Sequence, residues 1–293
     1  MKMSNFECSL CGNRKFIPFL DQCEDLYLHK PYKVDYVQCM ACELVQQNPI
    51  PKDVSEFYES YPIHQEKSVF YAFVRRLVMA GVYLPPKTLP PKGKILDFGC
   101  GDGWYLAWCK ANGLTCVGFE YSSEHANVLG EKLGVDIFSD MSALAAAHPD
   151  GFDVITLNFV AEHLTDIRHV FQGLSKVLAP GGTIRYVVPN IASWEYRWFG
   201  RSWHSLDAPR HIIFPAAAHA KRLADELSLR YCGESSVPFP NGFGGSLPTI
   251  FLGRFSNLLF LLLLPVSILI TRLFPGGNKA YVLVNENNIN ASA

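Results

Sequence analysis

Residues 94–106, KILDFGCGDGWYL, constrain this 293-residue chain more than any other stretch. An apolar pair, Ile95 and Leu96, runs into an acid at Asp97. Gly99, Gly101 and Gly103 follow, and then helical text begins. Three closely spaced glycines suit a tight strand-to-helix turn whose backbone comes near a ligand. A second strand, 115–119, ends in another acid, Glu120. An acid at that place suits a pair of ribose hydroxyls. The chain therefore reads as the holder of a nucleoside-containing cofactor.

The spacing narrows the choice. Dinucleotide folds prefer G-x-G-x-x-G, which seats a pyrophosphate on a helix N-terminus. Here the pattern is D-x-G-x-G-x-G. An acid at its head repels a pyrophosphate and suits a cationic amine or sulfonium, which argues against a nicotinamide oxidoreductase. Residues 152–157, FDVITL, read as a buried parallel strand. They lead into Asn158 and the Glu162-His163 pair. Helical text follows at 167–178, then a Pro-Gly-Gly breaker at 180–182 and a strand at 183–188 ending in Pro189-Asn190.

In that order, over 92–190, these motifs resemble the class I S-adenosylmethionine (SAM)-dependent methyltransferases. The resemblance implies an α/β fold with a doubly wound, mostly parallel seven-stranded sheet. It implies that Asp97 binds the methionine amino group and Glu120 the ribose hydroxyls. Gly99 and Gly101 let the backbone approach, and Gly103 helps start the helix. Asp140, after a third strand at 135–138, is expected at the adenine. Asn158 ends the fourth strand on the ligand edge.

Cys8-x-x-Cys11 and Cys39-x-x-Cys42 form two thiolate pairs. Two such knuckles close a tetrahedral zinc site with no open position, so a zinc there is structural. The other reading is two redox-active or merely buried pairs. Residues 36–46 with Pro49 and Pro51 resemble the zinc ribbon of sugar and surface-polysaccharide methyltransferases. The expected organisation is a zinc-ribbon module at 1–52, a lid helix and linker at 53–91, and a methyltransferase domain at 92–293 that includes an apolar insertion at 247–274. In the second segment lie Phe57, Tyr58, Tyr61, an apolar helix near 70–82 and a proline-rich stretch at 84–91.

Methyl transfer from SAM is a displacement in which the enzyme mainly aligns the partners. A base helps when the acceptor is a hydroxyl or an acidic C–H. Glu162 and His163 follow the fourth strand, and His163 is the first choice of base. The other reading is a structural histidine at a helix start. The resemblance to quinone-pathway O-methyltransferases, which carry a similar Glu-His pair, also allows a divalent cation there. The segment 194–213 is too polar and aromatic for a simple connector. Its W…LD.PRH spelling resembles the same polysaccharide-cluster enzymes. Trp203 and Arg210 are expected at the acceptor, Arg210 on a phosphate or carboxylate, with His211 as a second base. The alternative is a salt-bridged loop.

Net charge is −1, with 49% hydrophobic and 18% charged residues. That supplies ample core material and no basic stripe for nucleic acid. Asn158-Phe-Val-Ala is also unlike the NPPY motif of enzymes that methylate a flipped base. The N-terminal residues carry no apolar signal run, and the scattered cysteines suit a reducing cytoplasm. Residues 255–271 are uncharged and flanked by Arg254 and Arg272. Such a run is at the short limit for spanning a bilayer. The last two strands, near 230–232 and 280–284, should be neighbours, so the apolar run must return. A hairpin bent at Pro265, an interfacial helix pair, or a buried or dimerising arm would do this.

The reading is a cytoplasmic enzyme, peripheral on the inner membrane, that methylates a glycan, a lipid-linked intermediate or another small molecule. A homodimer contact is the alternative use of the arm. Other functional readings are a quinone-pathway-type O-methyltransferase and a non-catalytic SAM-binding membrane adaptor.

Overall fold

The computed structural model describes residues 6–58, 69–79, 82–83 and 93–286. Three antiparallel strands come first: β1 (Phe16–Glu24), β2 (Lys33–Cys39) and β3 (Val45–Gln47). Helix α1 (Val69–Met79) precedes a run of alternating elements. These are β4 (Lys94–Phe98), α2 (Trp104–Ala111), β5 (Thr115–Phe119), α3 (Ser123–Leu133), β6 (Ile137–Phe138), α4 (Met141–Ala147), β7 (Phe152–Asn158), α5 (Ile167–Lys176) and β8 (Leu178–Pro189). The remainder comprises α6 (Trp194–Phe199), β9 (Ile213–Phe214), α7 (Ala217–Glu226), β10 (Arg230–Val237), α8 (Asn241–Leu252), α9 (Asn257–Leu273) and β11 (Asn278–Val284).

The large sheet has seven strands in the order β10-β11-β8-β7-β4-β5-β6. Strands β4 to β8 run parallel, and β11 lies antiparallel between β8 and β10. The fold is the expected doubly wound α/β type. Residues 95–98 of β4 are all buried, as in a strand covered by helices on both faces. The chain steps from β4 outward to β5 and β6, then returns to place β7 on the other side of β4. That reversal opens a crevice beyond the C-terminal ends of β4 and β7, where Asp97 and Asn158 sit.

Local sequence explains the element boundaries. Ser122 caps α3 by accepting from the His125 N–H, and Gly134 ends it at φ 58°. Asp166 caps α5 in the same way. The Pro-Gly-Gly stretch, expected as a break, instead lies within β8. Asn285 explains this: its carbonyl accepts from Gly181 N–H at 2.8 Å, and its N–H donates to Gly182 O at 2.9 Å.

The small sheet has the order β1-β2-β3-β9. Its fourth strand comes from the segment after β8, where Val45 pairs with Phe214 and Gln46 with Ile213. The main apolar core is continuous with it, since Phe6, Leu10, Val37 and Leu44 pack in the same cluster as Leu96, Ile155 and Ile184.

The apolar insertion forms two helices packed on each other. Of the alternatives for the returning run, the hairpin bent at Pro265 is not the one found, because Pro265 lies inside α9. The turn falls at 253–256, where Gly253 takes φ 64° and Ser256 caps α9. A proline costs one backbone bond but does not by itself end a helix that has packing and a good cap. The two helices approach closely at Gly244, where a Cβ would lie 2.5 Å from Ser267 Oγ. Their polarity is inverted. The buried positions of α9 are Leu264, Ser267 and Thr271, whereas Leu258, Leu262, Val266, Leu269 and Leu273 are exposed. Those five recur at helical spacing and form one leucine-rich face. Among the described residues no helix is long and apolar enough to cross a membrane.

Candidate active site

A cavity of about 410 Å³ occupies the crevice. Its floor is the β4–α2 loop. One wall is the turn after β7, another is α1, and a third is the bridging segment before β9. Phe255, from the turn between α8 and α9, and Phe260, from α9, also face it.

Asp97 is buried at one end and accepts from Thr156 Oγ1 at 2.9 Å. Asn158 Nδ2 stands 3.5 Å from the same oxygen. Thr156 and Asn158 share a face of β7 by strand alternation. Burial pushes the Asp97 carboxyl up to about 7, and the nearby Asp102 and Glu120 add to the rise. Among the described residues no cation pairs with this acid. Gly99 adopts φ 72°, and a Cβ there would lie 2.7 Å from Val160. Glu120 accepts from Gly101 N–H at 3.0 Å, which holds the carboxylate against the loop. Gly103, at φ 75°, precedes α2 and leaves no room for a Cβ against Leu129 and Leu133.

Asp140 stands apart from this group. It is exposed and accepts from Ala143 N–H at 2.8 Å as the cap of α4; like Glu120 and Gly103 it is not among the residues that line the cavity. Helix α1 sits over the loop. Arg75 pairs with Asp102 at 3.1 Å, and its guanidinium lies 5.5 Å from the Trp104 ring centre. The expected helix at 70–82 corresponds to Val69–Met79. Tyr61 and the proline-rich stretch at 84–91 lie outside the described residues.

At the other end are Glu162, His163 and His211. His163 Nδ1 lies 2.9 Å from the Arg210 carbonyl and 2.8 Å from the Tyr58 hydroxyl. His211 Nδ1 lies 2.8 Å from the Ser205 carbonyl. A carbonyl only accepts, so each Nδ1 carries the proton and each Nε2 keeps a lone pair. Burial lowers both imidazoles, His211 to about 3. The rings stand 4.7 Å apart. Glu162 is completely buried, and burial raises its carboxyl well above the usual range.

The two residues expected to meet the acceptor have different places. Arg210 is 1% exposed. Its NH1 and NH2 donate to Asp25 at 3.0 and 2.8 Å, and its Nε and NH2 donate to Asp207. Protein carboxylates thus take the fork expected to hold an acceptor anion, as the salt-bridged alternative has it. Trp203 is equally buried, packs with Tyr36, Phe199 and Phe214, and points its N–H at Glu195 3.3 Å away. Both residues fix the bridging segment that carries His211. Tyr36 Oη donates to the His211 carbonyl at 2.7 Å, and Gln47 Nε2 donates to the Pro209 carbonyl at 2.6 Å. The N-terminal strands therefore buttress the wall that presents His211. Asp25 had no signal in the sequence, because its partner lies far along the chain. Thr156 had one, its i, i+2 relation to Asn158.

The four cysteines of the N-terminal pairs converge. Cys8 and Cys42 sulfurs are 3.6 Å apart, as are those of Cys11 and Cys39, and all four lie within 4.8 Å of one another. Sulfurs about 2.3 Å from a tetrahedral zinc stand roughly 3.8 Å apart, so the set fits that ion. The Ala41 N–H and Asn13 Nδ2 point at Cys39 Sγ, as outer donors to a metal thiolate do.

Comparison with known proteins agrees with this geometry. A sequence profile described as a methyltransferase domain matches residues 69–231. The ubiquinone biosynthesis O-methyltransferase of Pectobacterium atrosepticum is 29% identical over 149 residues, 47% of this chain and 62% of that protein. The malonyl-[acyl-carrier protein] O-methyltransferase of Hahella chejuensis is 30% identical over 152 residues, 48% of this chain and 52% of that protein. The chain thus spans about half to three-fifths of the length of these curated relatives. Among solved structures, a SAM-dependent methyltransferase of Thermotoga maritima, a possible histamine N-methyltransferase, superposes with a TM-score of 0.50 at 13% identity. The superposition covers 79% of this chain and 96% of that one, and shows the shared fold. The profile runs through both the glycine loop and the segment carrying Glu162, His163 and His211, and it covers more than half of the residues: the chain belongs to the methyltransferase domain family.

Proposed function

We propose that this protein transfers the methyl group of SAM to an oxygen of a lipid-linked small molecule, working from a membrane surface. The observation that carries the reading is the single cavity that joins Asp97 to the helix pair. Asp97 takes the amino group of the methionine moiety, whose positive charge suits a carboxylate that burial has left uncompensated. Glu120 turns from Gly101 to the ribose hydroxyls. His163 accepts the acceptor proton on Nε2 as the new bond to carbon forms. Cys8, Cys11, Cys39 and Cys42 hold a structural zinc that orders the N-terminal strands. Those strands keep His211 in place through Tyr36 and Gln47.

The helix pair supports the membrane side of the reading. Phe251 is 79% exposed, and the leucine face of α9 continues the same surface. No Asp or Glu occurs between Glu234 and Glu286, whereas Arg254 and Arg272 flank α9. A leucine face with basic ends suits an anionic lipid surface. The relatives named for ubiquinone biosynthesis favour one variant of this reading, a hydroxyl of a quinone precursor as acceptor.

Flotation of the full chain with anionic lipid vesicles tests the placement. Wild type is expected to float, and Leu258→Glu/Leu262→Glu to remain at the bottom while keeping its fold. Wild type that stays unbound and dimerises through the same face contradicts the membrane reading and makes the arm an oligomer contact.

A further inference from the structure

Arg185 is a buried cation with no part in the methyl transfer. It lies in β8 and is 8% exposed. Among the described residues it pairs with no carboxylate, and its one hydrogen bond runs from NH1 to Asn158 Oδ1 at 3.4 Å. Burial lowers its basicity, yet a guanidinium keeps its proton throughout the neutral range. A guanidinium taken out of water ordinarily gains an acid or several acceptors, so a single neutral partner calls for an explanation.

Strand register supplies one. Asp97 of β4 pairs with Thr156 of β7, and Thr156 pairs with Arg185 of β8, so the three stand in one row on one face of the sheet. Asn158 follows Thr156 by two residues on that face and bridges the acid and the cation. Its Nδ2 stands 3.5 Å from Asp97 Oδ1. An amide fits such a place in either of two orientations. A guanidinium only donates, so Arg185 selects the one in which the Asn158 oxygen turns to it and the NH₂ turns to Asp97. Thr156 Oγ1 donates to the same Asp97 oxygen. Both donors thus fall on Oδ1, and no described residue donates to Oδ2. Asp97 and Asn158 line the cavity, and Arg185 stands behind them.

We propose that Arg185 is a positioning residue of the cofactor site. By holding the Asn158 oxygen it aims the Asn158 amide at Asp97 Oδ1. That fixes the plane of the carboxylate and presents Oδ2 to the cationic amine of the cofactor. The long bonds of the empty site shorten as the amine arrives, as polar contacts in a site commonly do when it fills. The identity of the amine rests on the SAM reading; the orientation of Asn158 does not.

The test is a double-substitution cycle on the full zinc-loaded chain, with Arg185→Met and Asn158→Ala. Calorimetry gives the affinity for S-adenosylhomocysteine, which keeps the amine. Arg185→Met is expected to weaken it about fivefold or more beside Asn158, and less than about twofold in Asn158→Ala, because a positioning residue is silent once the residue it positions is gone. Arg185→Lys, which keeps a donor, should recover most of the loss. The second readout needs no ligand: the titration of the Asp97 carboxyl followed by carbon NMR. The Asn158 and Thr156 donors oppose burial, Asp102 and Glu120 at this acid. Arg185→Met should therefore move the titration upward, again only beside Asn158. Removing a buried, unpaired charge is not expected to unfold the chain; if circular dichroism shows that Arg185→Met is unfolded, Arg185→Leu replaces it. An effect of equal size in the two backgrounds makes Arg185 merely structural and overturns the proposal, as does an Arg185→Met chain in which either readout stays put. A wild type that does not bind S-adenosylhomocysteine counts against the SAM reading, and the carboxyl titration then decides the proposal by itself.

Discussion

Replacing Asp97 with Asn should strengthen the empty fold and abolish its use. The wild-type carboxyl titrates near 7 in the folded chain, against a reference value of 3.8. Between those values the folded state holds a proton that the unfolded state releases. Stability from this group is therefore fully present below about pH 4, falls as pH rises towards 7, and is level above that. At pH 8 the deficit is about 4 kcal/mol, at 1.36 kcal/mol per pH unit. Asn carries no charge and keeps an oxygen for the Thr156 hydroxyl, but places an amide N–H₂ where the second oxygen stood. The net gain expected at pH 8 is about 1–4 kcal/mol, a rise in melting temperature of several degrees for a chain this size. At pH 4.5 the variant and the wild type should melt nearly together.

Ligand response should move the other way. S-adenosylhomocysteine, which keeps the methionine amino group, should raise the wild-type melting temperature in proportion to its binding and leave Asp97→Asn almost unmoved. Thermal melts at the two pH values, with and without that ligand, provide four numbers for each of the two proteins. A variant that is less stable at pH 8 and still shifted by ligand would refute the reasoning.

Two further outcomes follow from the N-terminal strands and the bridging segment. Arg210→Ala leaves Asp25 and Asp207 as buried carboxylates without their shared guanidinium, so a loss of about 3–5 kcal/mol is expected in chemical denaturation; a change under 1 kcal/mol would make the ion pair incidental. Gently purified protein should contain close to one zinc per chain, and chelation should lower the melting temperature and expose the β1–β3 strands to protease. A ratio far below one, with unchanged melting, refutes the zinc assignment.

The large sheet was legible because its signals are local. Residues 94–106 combine a strand, a glycine turn and a helix start within one short window, and the structure repeats them as β4, its loop and α2. The four cysteines were legible for the same reason, since each pair is a single turn. What was not legible depends on long-range packing. Arg210 looks like an anion binder in sequence, and only the fold brings Asp25 to it across 185 positions. The short strand β9 has two residues, too few for any periodicity, and exists because β3 offers it an edge. Pro265 was the obvious bend in the apolar run, but Gly253 could take the left-handed conformation that ends α8. Asp140 sits beside a strand end as expected, and its carboxylate also caps α4 through the Ala143 N–H, a second use that only the fold reveals.

The central claim is methyl transfer to a lipid-linked acceptor. Its most direct test incubates the full chain with SAM carrying a labelled methyl group and a total cell extract, then partitions the label between organic and aqueous phases. The account expects protein-dependent label in the organic phase, lost in Asp97→Asn. Label confined to the aqueous phase would contradict the lipid-linked acceptor, and no protein-dependent label in either phase would contradict methyl transfer itself.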